Sequence, residues 1–145
     1  MTEESRRRIL VAIDGSEPAE RALVLATSLA QKTGASLDVV TVIDLGQVDV
    51  YDGFYLTDRQ INEIQQRVHD AVVDKARVQV PAEVDASFRI LRGSARKTLL
   101  EESERAGVDF LVLGRTGKGA WQRMVEGSVS RSLTVHAPVP VIVVP

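Results

Sequence analysis

The chain has 145 residues, of which 44% are apolar and 26% charged, with a formal net charge of −2. This is the balance of a folded domain, and the charge shows neither a nucleic-acid nor a membrane surface. It contains no cysteine, which excludes a disulfide framework, a thiol nucleophile and a cysteine metal site. No apolar run reaches the roughly 20 residues of a membrane span, and the polar opening MTEESRRR is unlike a signal peptide, so the expectation is a cytoplasmic protein without a membrane partner.

Five apolar runs mark strands: Ile9 to Ile13, Leu37 to Ile43, Val84 to Leu91, Val108 to Leu113 and Val139 to Val144. The first, fourth and fifth are nearly continuous Val, Ile and Leu, which predicts central parallel strands covered on both faces. The third alternates through Val84, Ala86, Phe88 and Ile90, as an edge strand does. Arg6, Arg7 and Arg8 read as a solvated lead-in to the first strand.

Helical patterns fill the gaps. Between Glu17 and Thr33, Ala22, Leu25, Ala26 and Leu29 share one face, with Ser16 as N-cap, Pro18 in the first turn and Gly34 just past the end. A second helix from about Asp58 to Val78 stacks Ile61, Ile64, Val68 and Val72 before Pro81. Ser94 can cap a third that turns Leu99 inward and ends at Gly107. A fourth begins near Ser128, carries Val129 and Leu133, and stops at Pro138. The longest irregular stretch, Asp44 to Thr57, holds Tyr51, Phe54 and Tyr55 and reads equally as a surface loop or as a flap over a ligand.

This alternation predicts one α/β domain over residues 1–145: a doubly wound, Rossmann-like sheet of five parallel strands in the order 3-2-1-4-5, with helices on both faces. With that order the ligand crevice lies between strands one and four, where Asp14-Gly15-Ser16 and Gly114-Arg115-Thr116-Gly117 leave the sheet.

The second of these segments runs on through GKGAWQRMVEGSVSRS. Glycines 114, 117 and 127 let backbone N–H groups face a ligand directly. Gly127-Ser128-Val129-Ser130 opens a helix whose unpaired N–H groups and dipole favour phosphate, and Ser128 and Ser130 add hydroxyls. Arg115, Lys118 and Arg123 bring positive charge to the same loop. Together these features favour an anion or nucleotide site over a plain glycine-rich turn. Two commoner phosphate motifs are absent. Lys118 is followed by Gly119 rather than Ser or Thr, and Val112 stands where a P-loop has its first glycine. DGSEPAE lacks the G-x-G-x-x-G of dinucleotide binders.

The spacing Gly114-x2-Gly117-x9-Gly127-Ser128, with VAIDGSEPAERAL near the start and APVPVIVVP at the end, resembles the ATP-binding universal stress proteins over essentially the whole chain. The resemblance implies an adenine-nucleotide-binding signalling module whose ligand is ATP, with Mg or Mn carried on the phosphates. It places Asp14 near the ribose with Ala12 beside it, and the backbone of Val42 at the adenine edge. Gly114, Arg115 and Gly117 match the loop under the ribose and first phosphates; Gly127, Ser128, Val129 and Ser130 match the stretch that holds the phosphates. It also implies a homodimer through Val139 to Val144.

The remaining polar residues read blandly. His69, flanked by Arg67 and Asp70, is expected on the exposed side of its helix, and His136 at a helix C-terminus. Glu101, Glu102 and Glu104 form a charged helix face. Slow ATP hydrolysis through Arg115, Lys118 and Asp14 is the alternative to pure binding.

Overall fold

A computed structural model describes residues 7–45, 56–105, 107–115 and 128–145. Its strands are β1 (Arg8–Ala12), β2 (Ser36–Ile43), β3 (Ala86–Arg92), β4 (Val108–Gly114) and β5 (Val141–Val144); its helices are α1 (Glu17–Thr33), α2 (Asp58–Gln79), α3 (Ala95–Ser103) and α4 (Ser128–His136). All neighbouring strands pair in parallel, in the order β3-β2-β1-β4-β5. The expected strand order therefore holds.

The pleat explains why these strands are apolar throughout. Ile9, Val11, Leu37 and Val39 face α1 and α2, whereas Leu10, Ala12, Val40 and Val42 face α3 and α4. Alternate residues point to opposite faces, and here both faces are covered. β5 departs from the reading of its run as a central strand. It is the edge beyond β4, and all four of its residues are only half-buried.

Ser16 caps α1 by accepting a hydrogen bond from the Ala19 N–H at 3.3 Å, and Gly34 closes the helix in the left-handed region. The inward stripe of α1 is Ala19, Ala22, Leu23, Ala26, Thr27 and Ala30. Leu25 lies about 120° round the helix from the centre of that stripe and stays 37% exposed, contrary to its predicted place. In α2, Val68 is likewise exposed. The sheet-facing stripe runs through Val72, Val73 and Ala76, close to 100° round from it. A capping box starts α2: the Gln60 N–H donates to Thr57 Oγ1, and the Thr57 N–H to Gln60 Oε1.

At the amino ends of β2 and β3, the buried Asp38 carboxylate accepts from Arg89 at 2.7 Å, and the same guanidinium donates to Glu102 at 2.6 Å. Glu102 also pairs with Arg105 at 3.1 Å. Glu102 is thus part of a half-buried ion cluster rather than a solvated face. Burial raises the Glu102 pKa, but hydrogen bonds from Arg89 and Arg105 outweigh it, and the net shift is downward.

Candidate functional site

The strand order reverses between β1 and β4, the switch point at which sheets of this kind hold a crevice at their carboxyl end. Asp14 follows β1. Its Oδ1 accepts from the Ser16 N–H at 2.9 Å and from the Ser16 hydroxyl at 2.6 Å. Gly15 between them has φ +84, and a Cβ there would approach Val72 Cγ2 to 3.3 Å. The turn is thus built so that one serine caps α1 and orients the carboxylate. Ala12 itself is fully buried among the residues facing α3 and α4, so only its backbone is offered at the strand end.

Gly114 ends β4 and has a packing reason as well as a place in the loop. A Cβ there would lie 2.8 Å from Ala19 N and Pro18 C, inside the first turn of α1. The absence of a side chain lets β4 and α1 meet at the base of the crevice. The Arg115 N–H then donates to Val144 O at 2.7 Å, while the Arg115 side chain is exposed. Residues 116–127, with Gly117, Lys118, Trp121, Arg123 and Gly127, lie outside the described residues, as do Tyr51, Phe54 and Tyr55.

On the far side, α4 begins at Ser128. The Ser128 Oγ is buried and has no hydrogen-bond partner among the described residues. A buried hydroxyl without a partner costs free energy unless something else bonds it, and this one stands in the first turn of α4, where a helix's N–H groups have no intrahelical partner. Val129 packs into the core. The Ser130 hydroxyl donates to Arg115 O at 3.0 Å, so it ties the two ends of the loop together rather than standing as a free donor.

The other wall of the crevice involves residues that the sequence reading missed. The ladder between β1 and β2 ends at Ala12 opposite Val40, with one further bond from the Ile13 N–H to Val40 O. The Asp44 carboxylate accepts from the Ala95 N–H at 2.9 Å, fixing the end of β2 to the start of α3. Arg96 Nη1 lies 3.5 Å from Ser132 Oγ, across to α4. His69 is not on the exposed side of α2. Its Nδ1 lies 2.8 Å from Gln65 O and its Nε2 3.2 Å from Val42 O, and the residue is half-buried. The clue lay in the helical register. His69 is three to four residues before Val72 and Val73, and so on their sheet-facing stripe.

Among the described residues, no group of three His, Cys, Asp or Glu side chains could hold a metal ion. No helix among them is long and apolar enough to cross a membrane.

Residues 5–145 match the universal stress protein family. A Staphylococcus haemolyticus protein that carries the universal stress protein name is 32% identical over 143 residues, which is 95% of this chain and 84% of that protein. A solved structure from the family in Burkholderia pseudomallei superposes with a TM-score of 0.74 at 24% identity, covering 100% of this chain and 99% of the other. The universal stress protein of Archaeoglobus fulgidus, solved in complex with dAMP, gives a TM-score of 0.62 at 19% identity, covering 97% and 98%.

Proposed function

Since the chain belongs to the universal stress protein family, we propose that it binds an adenine nucleotide, ATP in particular, in the crevice between β1 and β4. The observation that carries this reading is the buried hydroxyl of Ser128 at the first turn of α4, which has no partner among the described residues and stands where a phosphate oxygen would find a hydroxyl and helix N–H donors together. The binding of dAMP by the Archaeoglobus fulgidus relative supports an adenine ligand.

In this reading Asp14, oriented by Ser16, takes the ribose, with the Ala12 backbone beside it. The backbone of Val42 reads the base edge. Gly114, Arg115 and Gly117 underlie the ribose and first phosphates, and Gly127 to Ser130 hold the rest. A divalent cation, Mg or Mn, would ride on the phosphates, since a single carboxylate is a poor cage for it. Ligand state is then relayed to partners, or across a homodimer formed through the last strand.

Titration calorimetry with ATP, AMP and cyclic AMP tests the proposal. One site per chain, with ATP bound at least as tightly as the monophosphates, is the expected result. Absence of binding to all three at millimolar concentration would reject it.

A further inference from the structure

α3 and α4 pack against the same face of the sheet, over Leu10, Ala12, Val40 and Val42. Each follows the carboxyl end of a strand, β3 and β4 respectively, so both helices begin at the crevice end. Their first turns differ in what is left to bind a ligand. At α3 the Asp44 carboxylate accepts from the Ala95 N–H at 2.9 Å, and Ser94 Oγ from the Lys97 N–H at 3.4 Å. That helix start therefore already holds an anion. At α4 the Ser128 hydroxyl has no hydrogen-bond partner among the described residues.

What α3 adds to this end of the sheet is a side-chain charge. Arg96, its second residue, is exposed and forms no ion pair among the described residues. Its Nη1 lies 3.5 Å from Ser132 Oγ, a long contact with a neutral acceptor. A guanidinium has several N–H donors, and this contact engages one of them. Arg89 is the contrast: it bonds two carboxylates, at 2.7 and 2.6 Å, and is committed to the fold. Ser132 stands four residues after Ser128, so the two are neighbours on one face of α4, with Cβ atoms about 5–6 Å apart. The Arg96 guanidinium is thus held one helical turn from the Ser128 hydroxyl.

Resting on the nucleotide reading above, we infer that Arg96 is a specificity-determining residue that reads the length of the phosphate chain, by pairing with the terminal phosphate of a nucleoside triphosphate. In that reading the first phosphate lies on the β4 side, over Gly114 and Arg115, and the chain runs toward the first turn of α4. Only a nucleotide with further phosphates reaches the α3 flank of that turn. A terminal phosphate presents charged oxygens that a guanidinium can engage two at a time, and the long Ser132 contact is a weak competitor. A monophosphate stops short of Arg96 and gains nothing from it.

Calorimetric titration of ATP and of AMP into the native protein, Arg96→Gln and Arg96→Lys tests this. The side chain is exposed, so neither substitution opens the core. The native protein should prefer ATP. Arg96→Gln should weaken ATP about tenfold while AMP stays within about twofold of its native affinity. Arg96→Lys keeps the charge but loses the planar fork, and should recover part of the preference. A merely structural role for the contact with Ser132 would weaken both nucleotides equally. An unchanged ratio of ATP to AMP affinity in Arg96→Gln overturns the inference and leaves nucleotide binding intact. If the native protein binds neither nucleotide, the broader reading and this inference fall together.

Discussion

Ser128 carries more of the functional argument than any other described side chain. Its buried hydroxyl makes no hydrogen bond among the described residues, so its removal should cost little stability. Ser128→Ala is expected to change the urea midpoint by no more than about 0.5 kcal/mol equivalent while weakening ATP at least fivefold by calorimetry. A large loss of stability with unchanged affinity would make the hydroxyl structural. Ser130, two residues on, should behave in the opposite sense, because its hydroxyl already bonds Arg115 O. The sequence motif presents the two serines as equivalent donors. Which one has its proton engaged depends on where the Arg115 carbonyl points, and no residue pattern encodes that. His69 was hidden for a related reason: its neighbours Arg67 and Asp70 are polar, and only the true register of the α2 stripe places it inward.

At the scale of elements, local chemistry was largely readable. Ser16 and Ser94 cap α1 and α3 as expected, and their side-chain oxygens accept backbone N–H bonds, while the Thr57 cap of α2 comes from the structure. The faces of the helices were less legible, since α1 presents alanines to the sheet and leaves Leu25 outside. Small residues let the helix approach closely, and a hydrophobicity pattern alone favours the larger leucine. The ion cluster joining β2, β3 and α3 was not visible either, because Asp38, Arg89 and Glu102 are far apart in sequence. It makes a prediction about acid. The Glu102 pKa is lowered in the folded protein, so its contribution is present at neutral pH and is lost as pH falls through that lowered value. Urea unfolding of native protein and Glu102→Gln should differ by about 1–3 kcal/mol near neutrality, and the gap should narrow as the pH is brought down into the acid range. A constant gap would contradict this account.

For the whole molecule, the strand order and the covering of both sheet faces followed from the repeated strand–helix pattern, because a parallel sheet needs crossovers and a crossover needs a helix. The edge position of β5 bears on assembly. The Leu111 N–H donates to Pro140 O and the Arg115 N–H to Val144 O, so Val141 and Val143 turn their backbone groups outward along an open edge. An apolar edge of this kind invites a second strand. Sedimentation equilibrium is expected to give twice the 15.8 kDa chain mass. Val143→Pro, which removes only an outward N–H, should shift the protein toward the monomer. A native monomer at tens of micromolar would exclude the homodimer.

The account stands or falls on where ATP binds, and amide chemical-shift mapping of the isotope-labelled protein during an ATP titration measures that directly. It should perturb Asp14 to Ser16, Val42 to Asp44, Arg115 and Ser128 to Ser130, at the carboxyl end of the sheet. Shifts confined to the charged cleft of Arg8, Asp38, Asp85 and Arg105 at the opposite end, or no shifts at millimolar ATP, would contradict it.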